Sequence, residues 1–269
     1  MARFDGRTVL VTGASKGVGL AAAESFAKLG AKVGLVARDP SALEAAAAQI
    51  GGETHVVAAD LAVREECLRA ADEIAAALGP IDVLVSAAGT LQRDWVEDVK
   101  PDDFERNWRL HVGAALWVTQ RVLPGMRERR SGSLVYVASE LGLIGGASYA
   151  SYATSKWGLV GLVESLYHEV VGSGVHVAVL CPGDTRTDQL REDFDWGPTA
   201  GGIPFEKAMA PEHVAQAIVR SAEGRGKTLV IVDRAQMRLL FAILGGPRGI
   251  GRRVVHDACK KMLKARAGA

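Results

Sequence analysis

The sequence predicts a doubly wound α/β domain with a seven-stranded parallel sheet and helices on both faces. Three observations predict it. Seven short apolar runs, rich in β-branched residues, recur along the 269 residues. Each is nearly continuous in apolar character, as strands buried on both faces are. Helical patterns separate them, and no linker or shift in composition divides the chain, so residues 1–269 read as one domain.

The strand-like runs are Thr8–Thr12, Lys32–Ala37, Thr54–Ala58, Ile81–Val85, Ser133–Ala138, Val175–Leu180 and Thr228–Val232. The first helix is predicted over the Ala-rich stretch Leu20–Leu29, ending at Gly30 as C-cap. Ser41 is the expected cap of a second helix running to Ile50, and Val63–Leu78 is a third, stopped by Gly79-Pro80. Two long helices follow, Asp102–Arg129 and Ser151–Val171, and Pro211–Glu223 opens with proline at a helix start. The stretch Arg186–Ala210, with Gly197-Pro198 and Gly201-Gly202, reads as a long functional loop or lid over the substrate.

Composition narrows the function. A formal net charge of +1 gives no footprint for nucleic acid, and 48% hydrophobic with 23% charged residues suits an ordinary globular chain. Cys67, Cys181 and Cys259 are widely spaced, so neither a metal site nor a disulfide framework is expected. The histidines His55, His168, His176, His213 and His256 lack metal-ligand spacing as well. Only seven residues precede the first strand and no apolar run has the length of a membrane span, which predicts a cytoplasmic protein. A C-terminal extension spans about 234–269; in it the apolar run Leu239–Leu244 is a packed or interfacial segment, and the basic tail Gly245–Ala269 reads as a solvated terminal helix, with contact of Lys260, Lys261, Lys264 and Arg266 with a membrane surface as the alternative.

Chemistry enters at two places far apart. Thr12-Gly13-Ala14-Ser15-Lys16-Gly17-Val18-Gly19 lies between the first strand and the first helix. A pyrophosphate needs close backbone approach and free N–H donors there, and glycines at a helix N-terminus supply both. Arg38 ends the second strand and Lys16 lies in the turn. An NAD site places an acid near that strand end, whereas a basic residue accommodates a 2′-phosphate, so NADP(H) is favoured over NAD(H). The second place is the trio Ser139, Tyr152 and Lys156. Tyr152 and Lys156 are four apart on a predicted helix and share a face. A phenol ordinarily titrates near pH 10, and a neighbouring ammonium favours the phenolate. Ser139 ends the fifth strand, at the carboxyl edge where such sheets bind ligands. A Tyr-x3-Lys pair alone is unspecific; its value lies in its company.

With that company the chain resembles the short-chain dehydrogenase/reductase family, of the simple single-domain kind with a Rossmann fold, from about Arg7 to Val232. Residues 12–19 match its TGxxxGxG, Tyr152–Lys156 its YxxxK, Asp60-Leu61 its adenine-contacting pair, and Pro182-Gly183-Asp184-Thr185-Arg186-Thr187 its PGxxxT beside the nicotinamide. The resemblance implies sheet order 3-2-1-4-5-6-7, with cofactor contacts from Gly13, Ser15, Lys16, Gly17, Val18, Gly19, Arg38, Asp60, Leu61, Ala88, Gly89, Tyr152, Lys156, Pro182, Gly183, Thr185 and Thr187. It implies catalysis by Ser139, Tyr152 and Lys156, and a homo-tetramer or dimer built on the two long helices, with Val160 and Val163 in the interface. Two departures stand out. The family's Asn-Asn-Ala-Gly reads Ser86-Ala87-Ala88-Gly89, and His111 falls where the family has a tetrad asparagine. In the family that residue's backbone carbonyl holds a water in a proton relay to the lysine, a role His111 can keep; its imidazole could also relay protons, and a packed histidine is equally open.

The resulting expectation is an NADP(H)-dependent oxidoreductase interconverting a carbonyl and a secondary alcohol. Phe194, Trp196 and Phe205 suggest an apolar substrate, Trp95 joins them at the pocket edge, and Trp108, Trp117 and Trp157 are expected in helix interfaces. A cofactor-binding sensor or scaffold is the alternative; a hydrolase built on Ser139 lacks a GxSxG elbow.

Overall fold

The computed structural model describes residues 3–196, 204–224 and 229–232. Seven parallel strands form one sheet in the order β3-β2-β1-β4-β5-β6-β7. They are β1 (Thr8–Thr12), β2 (Lys32–Ala37), β3 (Thr54–Ala58), β4 (Ile81–Ser86), β5 (Gly132–Val137), β6 (Val175–Cys181) and β7 (Leu229–Ile231). Strand positions alternate between two cores. Leu10, Val36, Leu84 and Leu134 pack with residues of α3 (Arg64–Leu78), α5 (Ala114–Glu128) and α6 (Ala150–Val170). Val11, Leu35, Val85 and Val135 pack on the other face with α1 (Gly17–Ala27), α2 (Pro40–Ile50) and α8 (Pro211–Ala222). Burial on both faces is why the inner strands read as nearly unbroken apolar runs, while β3, at the edge of the sheet, is only partly buried. The order reverses between β1 and β4, so their carboxyl ends open a crevice at the switch point.

Local physics shifts several predicted elements. The cap of α2 is Asp39, whose carboxylate accepts from Ser41 N at 2.9 Å and Ala42 N at 3.2 Å; Ser41 lies inside the helix. The predicted helix Asp102–Arg129 is interrupted. It begins as α4 (Pro101–Trp108), passes through a π-helical turn at Arg109–Gly113 and continues as α5. The turn buries His111, Val112 and Gly113, and such one-turn insertions gather at functional sites. Part of the predicted lid is helical: α7 (Asp188–Trp196) starts where Leu190 N donates to the Thr187 hydroxyl at 3.3 Å. The expected interface residue Val163 is fully buried in the protomer's own core, and Val160 packs against it. Trp108 lies over Gly158 of α6, as expected of a helix interface, while its outer side is exposed; Trp157 is exposed, with Leu116 on α5, Tyr167 on α6 and Val171 just after α6. Trp117 packs against the core. Leu239–Leu244, Cys259, His256 and the extension 234–269 lie outside the described residues. Among the described residues no helix is long and apolar enough to cross a membrane, and no group of three potential ligands could hold a metal ion.

Candidate active site

A cleft of about 490 Å³ runs along the carboxyl ends of the strands, across the switch point. At one end lies the turn between β1 and α1. Gly13 has φ +69°, and a Cβ there would sit 2.7 Å from Ala88 Cα. Gly19 lies against the Gly13 carbonyl, where a Cβ would come within 2.1 Å. These glycines let the turn fold against the end of β4 and leave its backbone open to the cleft. The N-cap of α1 is Lys16, and no side chain caps the helix's first amides, in contrast to the Asp39 carboxylate on α2. An uncapped, glycine-lined helix N-terminus facing a cleft suits a pyrophosphate. Arg38 and Lys16 are exposed at this end, and Lys16 reaches Asp188 of α7 at 3.8 Å.

The Ser86-Ala87 departure is compensated. Thr12 Oγ1 accepts from Ala87 N at 3.1 Å and Ala88 N at 3.2 Å. Two residues on, Thr90 N donates to His111 Nε2 at 3.0 Å. The β4 turn is thus held from β1 on one side and from the π-helical turn on the other.

At the opposite end Ser139, Tyr152 and Lys156 line the same wall. The Ser139 Oγ accepts from Leu141 N at 3.2 Å, and its hydroxyl favours the ionised form of the Tyr152 phenol. Lys156 Nζ donates to Val137 O at 3.1 Å and lies 5.5 Å from the Tyr152 ring centroid. Burial pushes the phenol up to about 12, and Asp193, Glu140 and Asp184 add to the rise, while Ser139 opposes it. Burial also brings the Lys156 ammonium down to about 8. The expected lowering of the phenol by its cationic neighbour does not emerge here, because desolvation penalises both charged forms.

Of the residues expected at the site, all but Asp60 and His111 line the cleft. Asp60 turns away to Arg106 Nη2 at 2.8 Å and Ala62 N at 3.0 Å, although Leu61 beside it does line the wall. His111 is 2% exposed, with its ring edge-on to Tyr152 at 5.6 Å between centroids. Its Nε2 accepts from Thr90, so Nδ1 carries the proton and donates to Ser155 Oγ at 2.7 Å, which donates in turn to Tyr152 O at 2.8 Å. Burial first, and Lys156 second, hold the imidazole well below its usual range. Both nitrogens are taken, which leaves the ring none with which to relay a proton.

The aromatic residues expected to wall the pocket stand outside it. Phe194 packs on Phe205 with centroids 6.1 Å apart, and Trp95 on Trp196 at the same spacing. The lining near Tyr152 is mixed, with Leu91, Leu141 and Leu190 beside Glu140, Asp184 and Asp193. Asp193 is bound by Arg93 and Tyr149, residues that sequence reading passed over.

A family model described as short chain dehydrogenase matches residues 7–197. A D-threitol dehydrogenase of Mycolicibacterium smegmatis is 32% identical over 224 residues, covering 81% of this chain and 86% of its own. A 3-dehydrosphinganine reductase of Danio rerio is 33% identical over 233 residues, 82% of this chain and 69% of its own. Among solved structures, a candidate NAD(P)-dependent gluconate 5-dehydrogenase from Beutenbergia cavernae, with NADP bound at low occupancy, is 32% identical at TM-score 0.78, covering 87% of this chain and 98% of its own.

Proposed function

The chain belongs to the short-chain dehydrogenase/reductase family of NAD(P)-dependent oxidoreductases acting on CH–OH groups, and from that premise we propose that Tyr152 exchanges the proton while Ser139 and Lys156 assist it. The observation that carries this reading is the convergence of the Ser139 and Tyr152 hydroxyls and the Lys156 ammonium on one wall of a cleft whose other end is the uncapped turn of α1. The turn Gly13–Gly19 would hold the pyrophosphate, and Leu61, Ala88, Gly89, Pro182, Gly183, Thr185 and Thr187 the remainder of the dinucleotide. When bound, the dinucleotide supplies or accepts the hydride. The chain's own groups do the rest. Ser139 donates to the reacting oxygen and fixes it beside the phenol. Tyr152, whose pKa of about 12 keeps it protonated at neutral pH, carries the proton that carbonyl reduction requires. Lys156, with a pKa of about 8, is largely charged at pH 7 and stabilises the phenolate left behind. His111, in its neutral Nδ1–H form, clamps the Thr90 loop to the helix that bears Tyr152.

A panel of ketones and aldehydes assayed for NADPH consumption tests the reading. Turnover of at least one carbonyl is expected; binding of the dinucleotide with no turnover across a broad panel would contradict it. The cofactor is NADP(H) on this reading, because Arg38 and Lys16 flank the cleft where the adenosine ribose is expected and Arg38 forms no ion pair among the described residues. Arg38→Ser is expected to raise the NADPH Kd about tenfold, the loss of one charge-assisted contact, while leaving that for NADH within about twofold. Equal effects on both dinucleotides, measured by fluorescence titration, would defeat it.

The protein is proposed to assemble as a homo-oligomer through α4, α5 and α6, where Trp108, Leu116, Trp157 and Tyr167 are exposed. Sedimentation velocity at micromolar concentration is expected to give a dimer or tetramer; a stable monomer would contradict this.

A further inference from the structure

Asp184 holds the least explained polar atom in the cleft. Its Oδ2 is buried and has no hydrogen-bond partner among the described residues. Of the other buried atoms without a hydrogen bond among the described residues, Glu223 Oε1 meets the Arg3 guanidinium, and those of Asn107 and His176 lie outside the cleft lining. Buried carboxylate oxygens are rarely left without a donor, and each exception asks for a partner that the bare fold does not contain. Backbone fixes the residue in place. Asp184 O accepts from Met209 N at 2.9 Å, and Arg186 N donates to Met209 O at 2.8 Å, so the segment is pinned to the chain before α8. The carboxylate caps no turn of its own.

The surroundings offer Asp184 no cation. Lys156 is directed to Val137 O and Lys16 to Asp188, and no cation among the described residues acts on the Asp184 carboxyl. Arg93 is committed to Asp193 at 2.9 Å. Asp193 itself and Glu140 add negative charge on the same lining, and all three carboxylates act on Tyr152. Burial, then Asp193, raises the Asp184 carboxyl to about 6, so it is mostly ionised at neutral pH. A substrate anion would be repelled there and a donor welcomed. Leu91, Leu141 and Leu190 on the same lining suit an aliphatic remainder.

Resting on the oxidoreductase reading above, we propose that the substrate carries a hydrogen-bond donor, a hydroxyl or an ammonium, on the carbon next to the reacting one, and that Asp184 accepts from it. The class is a vicinal diol or amino alcohol and its ketone, with an apolar chain.

The test compares oxidation of 2-octanol, 1,2-octanediol, 1-amino-2-octanol and 2-hydroxyoctanoate by NADP⁺, in the wild type, Asp184→Asn and Asp184→Ala. NADPH Kd and the thermal midpoint are measured on each protein. In the wild type the kcat/KM for the diol or the amino alcohol is expected to exceed that for 2-octanol by about tenfold or more, the scale of one hydrogen bond to a charged group, with 2-hydroxyoctanoate lowest. Preference for the diol alone, or for the amino alcohol alone, identifies which donor is used. Asp184→Ala is expected to bring diol, amino alcohol and 2-octanol to within about threefold, with NADPH Kd held and the thermal midpoint unchanged or raised, since no internal partner is lost. Asp184→Asn, which still offers an acceptor oxygen, keeps any preference for the diol and loses any for the ammonium. Equal wild-type rates on 2-octanol and both donor-bearing alcohols would overturn the inference and leave the oxidoreductase reading standing. So would an Asp184→Ala variant that weakens NADPH binding with the substrate preference intact, or one that melts well below the wild type. No oxidation of any of the four alcohols would overturn the inference; whether the wild type consumes NADPH on the wider carbonyl panel decides the reading beneath it separately.

Discussion

Tyr152→Phe is expected to lower kcat by about 10²- to 10⁴-fold, the range that a positioned acid–base group contributes, while NADPH binding stays within about threefold of the wild type. The phenol is 6% exposed and lines the cleft together with Ser139. Phenylalanine keeps the ring, its packing beside His111 and the shape of the wall, so the change isolates the oxygen. The loss falls on kcat because the proton is needed at the transition state and contributes little to holding the dinucleotide. The pH profile carries the same information. A phenol held near 12 remains protonated through neutrality, and Lys156 loses its charge as pH rises through about 8. Reduction is therefore expected to run well at neutral pH and to decline above about pH 8 as Lys156 neutralises. A Tyr152→Phe enzyme of near-native rate would remove Tyr152 from the chemistry.

Arg93→Leu is the substitution expected to cost most in stability. Arg93 and Asp193 form an ion pair at 2.9 Å whose side chains are 1% and 3% exposed. The guanidinium also donates to Ser148 Oγ at 3.1 Å and to Asp193 O at 3.1 Å, and lies 4.0 Å over the Trp196 ring and 4.5 Å over the Tyr149 ring. Tyr149 donates to the same carboxylate, at 2.8 Å and 3.0 Å to its two oxygens. Three segments meet there: the loop after β4, the residues before α6, and α7. Removing one partner of a buried pair strands the other, at a cost of about 3–5 kcal/mol, or roughly 6–20 °C in Tm for a protein of this size. Burial already raises the Asp193 carboxyl, and without Arg93 it rises further. A carboxyl whose folded pKa exceeds its unfolded one costs stability as pH rises above the unfolded value. The deficit of Arg93→Leu should therefore shrink as pH falls toward 5. The double variant Arg93→Met/Asp193→Leu is expected to recover most of the loss, because it leaves no stranded charge. Calorimetry decides: a single variant melting within about a degree of the wild type would show that the pair does not hold α7 down.

The legible parts of this fold share a physical cause. β1 and β2 are legible because both their faces are buried and their apolar runs end abruptly. The turn Gly13–Gly19 and the trio Ser139, Tyr152 and Lys156 were legible because each is a local pattern, and the fold brings them to one cleft. What escaped depends on partners distant in sequence. Asp193 lies 100 residues from Arg93, and no local period announces that pair. The π-helical turn escaped because a helical pattern continues on both sides of it. One missed element did have a local signal: Thr187 followed by Leu190 and Phe194 marks a capped, one-faced helix, and α7 begins there. Asp60 matches a motif but spends its carboxylate on Arg106 of α4, a partner 46 residues away that no local pattern announces.

The most direct test of the central claim follows a label rather than a rate. Wild-type protein, a ketone from its substrate range and NADPH deuterated at C4 of the nicotinamide are incubated together, and the product is read by mass spectrometry and NMR. Deuterium on the carbinol carbon of the product, with its yield sharply reduced in Tyr152→Phe, is the predicted result. A ketone that comes back unlabelled and unreduced while the dinucleotide is demonstrably bound would contradict it.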